Sequence, residues 1–182
     1  MSALAKEKEY TIEDIYSLPE GIRGELIDGD LHMMAPPSPL HQQISIALST
    51  EIRNYIKAKN GPCEVNYAPF AVFLDQDDQN YVEPDIFVVC DKTKISDRGC
   101  EGAPDWVIEI LSPASERYDL GVKLFKYRSA GVREYWVVSP SKKTINVFLF
   151  SQDPEGMVYT FEDHVPVSLY PDFAICISDL MS

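Results

Sequence analysis

Long hydrophobic runs are missing from this chain. No stretch of about 18 apolar residues occurs, so a transmembrane helix is not expected. The opening residues, MSALAKEKEYTIED, lack the apolar core of a secretory signal, and a cytoplasmic location is the expectation. Cysteine is sparse: Cys63, Cys90, Cys100 and Cys176 form no C-x-x-C pair, and no histidine stands at zinc-finger spacing from them, which disfavours a structural zinc site. Cys90 and Cys176 fall in apolar strand patterns, where a buried free thiol is the usual state. Basic residues are also scarce, with 16 Lys and Arg against 29 Asp and Glu, a net charge of −13. Surfaces that bind nucleic acid normally neutralise phosphates with Lys and Arg. The scarcity is uneven, however. Residues 151–182 hold six acids and no base, whereas residues 114–134 hold five bases (Arg117, Lys123, Lys126, Arg128, Arg133) against three acids. A locally basic helix on an acidic body is compatible with a small nucleic-acid footprint.

What is present reads as one α/β domain spanning 1–182, with its core over about 10–179. Repeats, low-complexity tracts and linkers are absent. Thr11 before Glu13 and Asp14 predicts a short helix from Tyr10 to Leu18. Asp28-Gly29 between two apolar arms predicts a hairpin over 25–34. Ile44, Leu48, Ile52 and Ile56 recur every four residues and predict an amphipathic helix from Leu40 to Lys59. Strands are expected at 65–74 (with Pro69 marking an edge or bulge), 81–90, 106–111, 132–138 and 144–150. The segment 91–104 reads as loop, a helix is expected over 116–130 with Gly131 as its cap, and 157–161 and 171–177 could extend or cover the sheet. Continuous apolar strands at 86–89, 106–111 and 135–138 require a sheet covered on both faces. The expected architecture is α+β: a central mixed sheet flanked by helices, preceded by an N-terminal helix and β-hairpin.

Several polar residues sit where packing alone would not put them. Glu109 interrupts an apolar strand, on one face with Val107 and Leu111, and a buried carboxylate is costly unless paired, hydrogen-bonded or bound to metal. Asp85, after Pro84, heads the apolar run Ile86 to Val89. If these two strands are neighbours, the two acids converge and suit Mg²⁺, a hard ion that prefers oxygen ligands. Asp119, Lys123 and Tyr127 share one helical face, with Lys126 beside the stripe and Leu120, Leu124 and Phe125 on the apolar side. The plain alternatives are an Asp that accepts loop amides and a structural Glu109–Lys123 ion pair.

The order of a hairpin Glu25, Glu83-Pro84-Asp85, WVIEILSP at 106–113, and D-x₃-K-x₃-Y-x₃-G-V-x-E-Y-W from Asp119 to Trp136 resembles the Uma2 (DUF820) family of restriction-endonuclease-like proteins, within the PD-(D/E)xK nuclease superfamily. ELIDGDLHMM at 25–34 and PPSPLH at 36–41 match as well. The resemblance implies a restriction endonuclease-like fold, Asp85, Glu109 and Glu25 as ligands of Mg²⁺ or Mn²⁺, and catalysis by Asp85, Glu109, Lys123 and Glu25. Lys123 stands in for the superfamily lysine, whose usual position two residues after Glu109 is held by Leu111. His41, Asp119, Lys126 and Tyr127 would make phosphate or supporting contacts. The expected reaction is hydrolysis of a DNA phosphodiester, with a homodimer suited to cutting both strands and no membrane partner. Lys123→Ala is expected to abolish cleavage with the fold intact. A non-catalytic interaction or regulatory module on a nuclease fold, and a hydrolase of another phosphate compound, are the rival readings.

Overall fold

The computed structural model describes residues 9–113 and 115–182. The expectation drawn from the opening residues falls mainly on 1–8, outside the described residues. Helix α1 (Ile12–Tyr16) begins at Thr11, whose N–H donates to the Asp14 carboxylate at 2.9 Å. Strands β1 (Gly24–Ile27) and β2 (Asp30–Met33) form the expected antiparallel hairpin. Its turn has φ of 51° at Asp28 and 82° at Gly29, positive at both central residues as a tight primed turn requires.

Helix α2 (Pro39–Ala58) is capped by Ser38, whose hydroxyl accepts from the His41 N–H, and buries Ile44, Leu48, Ile52 and Ile56. The predicted strand over 65–74 divides instead into β3 (Glu64–Tyr67) and β4 (Val72–Phe73), separated by a cis Ala68–Pro69 bond and belonging to different sheets. After β5 (Ile86–Val89), the segment read as loop contains two short strands, β6 (Ile95–Ser96) and β7 (Gly99–Glu101), which join β4 in a three-stranded sheet. Then come β8 (Trp106–Ile110), a π-helical segment Tyr118–Lys123, α3 (Leu124–Ala130), β9 (Glu134–Ser139), β10 (Thr144–Leu149) and β11 (Asp153–Thr160). Gly131, at φ 96°, ends α3 as expected. Finally β12 (Val165–Pro166) and β13 (Ala174–Ile175) pair with each other and lead into α4 (Ile177–Leu180).

The main sheet has the order β11-β10-β9-β8-β5-β3, antiparallel except for β8 and β9. That parallel pair needs a crossover connection, which the π segment and α3 supply. Alternation along the strands divides the interior in two. Ile86, Val88, Trp106, Ile108, Ile110, Trp136 and Val138 pack with α2 on one face. Phe87, Val89, Val107, Tyr135 and Val137 pack with Tyr127 of α3 on the other. β3 is an edge strand, which is where a neighbouring proline is tolerated.

Two expectations need correction. Cys90 is not a free thiol, because it forms a disulfide with Cys63. The antiparallel register sets Glu64 opposite Val89, so the next residues outward, Cys63 and Cys90, face each other. Cys100 and Cys176 are the free, buried thiols. Phe125 does not contribute to the apolar face of its helix and is 71% exposed. The π segment changes which residues face inward ahead of it.

Candidate active site

The site begins with the pairing of β5 and β8. Ile86 lies opposite Ile108, so Asp85 and Glu109 occupy adjacent positions where the two strands meet. The Ile110 N–H donates to Asp85 Oδ2 at 2.8 Å, and the Asp85 N–H points at Glu109 Oε2 at 3.4 Å. His41, in the first turn of α2, places Nε2 at 3.1 Å from Asp85 Oδ2. Both described side-chain contacts of Asp85 therefore fall on Oδ2, leaving Oδ1 for another ligand.

Glu25 arrives from the hairpin. Leu26 bridges backbone to backbone with Tyr81, which brings β1 alongside the chain leading into β5. The Glu25 carboxylate accepts from the Glu83 N–H at 3.0 Å. Glu83 itself is held by Arg23 and by the Tyr81 hydroxyl at 2.7 Å.

The π segment carries Lys123 into the space between these acids. Its Nζ lies 2.7 Å from Glu25 Oε2, 2.9 Å from Glu109 Oε1 and 3.5 Å from Asp119 Oδ1. Tyr127, one turn further along, donates its hydroxyl to Glu109 Oε1 at 2.7 Å. Tyr135 on β9 donates to the Asp119 carbonyl at 3.1 Å. Thus Glu25, His41, Asp85, Glu109, Asp119, Lys123 and Tyr127 gather in one connected network. Lys126 does not join it, since its ammonium pairs with Asp28 at 2.6 Å and Asp75 at 2.7 Å and ties the hairpin turn to α3.

Two residues of this neighbourhood escaped the sequence reading. The Lys123 ammonium lies 5.6 Å from the centre of the Tyr118 ring, and the His32 ring meets Tyr118 at 4.0 Å between centroids, tilted by 36°. Tyr118 and Lys123 are five residues apart, about 140° apart on an α-helix. The wider π turn brings them together, a backbone form common at functional sites. His32 carried no signal of its own beyond lying in the hairpin.

The electrostatics are lopsided. Three carboxylates, Glu25, Glu109 and Asp119, meet one ammonium, and Asp85 lies beside Glu109 with His41 as its side-chain partner. Burial pushes the Glu109 carboxyl well above the usual carboxylate range; Lys123 opposes this, while Asp85, Asp119 and Glu25 add to it. Burial also raises Asp119, against the pull of Lys123. Burial favours the neutral form of Lys123, but the Glu109 and Glu25 carboxylates outweigh it and hold the ammonium well above its ordinary value. For His41, burial favours the neutral ring and the Asp85 contact outweighs it, so its value rises. The surplus of negative charge is met by a proton on one of the raised carboxyls or by a cation.

The residues fit a hard divalent ion in part. Asp85 and Glu109 present adjacent carboxylates, the donor type Mg²⁺ prefers. Glu25 is placed differently from that pair: Lys123 stands between it and Glu109, and the three acids do not each bring an oxygen within 4.8 Å of the others among the described residues. Beside the network, a groove of about 440 Å³ ends at Asp85 and is lined by Gln42, Ser45, Thr50, Arg53 and Tyr67 among others.

A mixed sheet with acids at its strand junction and a lysine on the crossover helix places this molecule among proteins of nuclease-like fold. The chain superposes on a crystal structure from Anabaena variabilis, described as "a putative nuclease belonging to DUF820", with a TM-score of 0.75 and 22% identity over 93% of this chain and 96% of that one. Residues 12–177 match the Uma2 family, described as "Putative restriction endonuclease", and the chain belongs to that family. The uncharacterized protein slr1290 of Synechocystis sp. is 29% identical over 139 residues, covering 76% of this chain and 72% of that protein.

Proposed function

We propose that the protein is a metal-dependent endonuclease that hydrolyses DNA phosphodiester bonds, with Asp85, Glu109 and Lys123 as its working centre. The observation that carries this reading is the meeting of Asp85 and Glu109 across two buried strands, with Lys123 at 2.9 Å from Glu109. A structural ion pair needs one acid for one lysine, and here Lys123 meets three, with Asp85 next to them. Asp85 and Glu109 would hold Mg²⁺ or Mn²⁺, which when bound supplies Lewis-acid charge neutralisation at a phosphate.

The chain's own residues have separable tasks. His41 and the Ile110 N–H fix the orientation of Asp85, leaving Oδ1 outward. Tyr127 and Lys123 hold Glu109 by the same oxygen, which turns Oε2 toward Asp85. Glu25 anchors Lys123 rather than serving as a third ligand. Lys123 has all three N–H groups engaged, and the longest contact, to Asp119, is the one it gives up to meet a phosphate oxyanion. Arg53, Gln42 and the hydroxyls along the groove offer donors to the neighbouring backbone phosphates, and exposed Tyr67 offers a face for a base.

The test is cleavage of supercoiled plasmid and of a linear duplex by purified protein in Mg²⁺ or Mn²⁺, against EDTA. Asp85→Asn and Glu109→Gln keep the side-chain shape and are expected to lower the rate at least 100-fold. Wild-type rates in either variant would remove the assignment. The net charge of −13 favours a second reading, a nuclease-fold interaction module that cuts nothing. Absence of any Mg²⁺ or Mn²⁺ binding by calorimetry in the wild type would select it.

A further inference from the structure

A cluster of three side chains with metal-ligating atoms lies in elements that contribute nothing to the Glu109 network. β12 and β13 are antiparallel, with Val165 opposite Ile175 and Pro166 opposite Ala174. One residue outward, the same register sets His164 opposite Cys176, and facing positions of this kind bring side chains together on one face. Cys176 is also the residue from which α4 starts, so Asp179, three residues later, returns to the same side as the chain coils. Hairpin register and helix start thus converge three different ligand types. A nitrogen of His164, the sulfur of Cys176 and a carboxylate oxygen of Asp179 all lie within 4.8 Å of one another.

From this we infer that His164, Cys176 and Asp179 form a zinc site. The set is not a chance gathering of surface acids, because it includes a buried sulfur and an imidazole. Cys176 is 7% exposed and its thiol donates to the Phe161 carbonyl at 3.4 Å, a weak hydrogen bond. The side chains of His164 and Asp179 are exposed and have no hydrogen-bond or ion-pair partner among the described residues. Ligands of a tetrahedral zinc, at bonds of about 2.0–2.3 Å, stand about 3.5 Å apart. The exposed His164 and Asp179 side chains can close that gap while Cys176 stays in place. The thiolate rules out Mg²⁺ and favours a borderline-soft ion, and three protein ligands leave the fourth position to water.

The surrounding charge supports the assignment. Residues 151–182 contain six acids and no Lys or Arg, and the cations that come near, Lys142 and Lys143, border the adjoining cavity beside Phe161 and Ser178 rather than pairing with His164 or Asp179. On binding, the Cys176 thiol proton passes to solvent and the sulfur coordinates as thiolate. No oxidant or reductant is involved. The ion would pin α4 to the β12–β13 pair and is independent of the nuclease reading.

The experiment is a titration of the full-length, chelator-stripped protein with Co²⁺, the spectroscopic stand-in for Zn²⁺. A single equivalent is expected to develop visible bands of tetrahedral cobalt together with a near-ultraviolet thiolate-to-cobalt band, and Zn²⁺ should bleach both. Cys176→Ser should remove the thiolate band, and His164→Ala should weaken binding at least tenfold. Asp85→Asn should leave the thiolate band intact, which separates this centre from the other. If Cys176→Ser does not fold, His164→Ala and Asp179→Asn, both at exposed positions, carry the test. A wild-type protein without a thiolate band overturns the inference, as does a band that survives unchanged in His164→Ala.

Discussion

Lys123 is the residue on which most of the network depends, and it is 4% exposed. Its burial changes what a substitution does. Lys123→Ala is expected to cost stability as well as cleavage, because removal strands Glu25 and Glu109 without their shared cation. Lys123→Met, which keeps most of the side-chain volume, is expected to cost about 3–5 kcal/mol in urea unfolding. An unchanged midpoint would show the ammonium to be energetically idle. Tyr127→Phe removes one donor to Glu109 and is expected to cost about 1–3 kcal/mol by the same measurement. The free thiols give a residue-scale prediction of another kind. Burial pushes the Cys100 thiol up to about 11, and the residue is inaccessible. Since the thiolate is the nucleophile, iodoacetamide at about pH 8 should modify Cys176 before Cys100 in the folded, chelator-stripped protein, as read by mass spectrometry. Early labelling at Cys100 would contradict this packing.

At the scale of elements, hydrophobic period and turn chemistry made much legible. The 25–34 hairpin, the helix after Pro39, the buried strands and the Gly131 cap all follow from local rules. The break at Ala68–Pro69 and the π segment do not. An α-helix and a π turn differ by one residue of slip. Here the choice accompanies burial of both Asp119 and Lys123 against residues 98 and 14 positions away from Lys123 in sequence. The disulfide belongs to this scale too, since it depends on strand register. Cys63 and Cys90 close a loop with a sequence separation of 27, and reduction is expected to lower stability by about 2–4 kcal/mol. Equal melting with and without reductant would argue that the pair contributes nothing. Gly99 is a further element-level constraint: a Cβ there would meet the Ala71 carbonyl oxygen at 2.4 Å, at φ 147°. Gly99→Ala should therefore loosen the β4–β7–β6 sheet, seen as faster amide exchange in those strands.

The whole molecule sets an acidic body against a narrow set of donors. With a net charge of −13, binding to a polyanion should depend on a divalent ion and on the few cations near the groove, of which Arg53 is one. Affinity for a duplex oligonucleotide, measured in Ca²⁺ by anisotropy, is expected to fall with added KCl with a shallow slope, one or two phosphate contacts at most. A steep slope would indicate a basic surface that the described residues do not present. No helix among the described residues is long and apolar enough to cross a membrane. The Cys63–Cys90 disulfide bears on the cytoplasmic expectation, because such bonds persist mainly in oxidising surroundings.

The sequence by itself determined the elements and the suspects. A carboxylate inside an apolar strand, an acid heading another and a polar stripe on a helix are anomalies visible without coordinates, because burying charge is costly wherever it happens. Only the tertiary structure decided their partnerships. Glu25 pairs with Lys123, Lys126 pairs with Asp28 and Asp75, and His164 faces Cys176 across a two-residue strand pair. Each outcome depends on which distant segments share a strand register or a helical turn, and no local pattern carries that information.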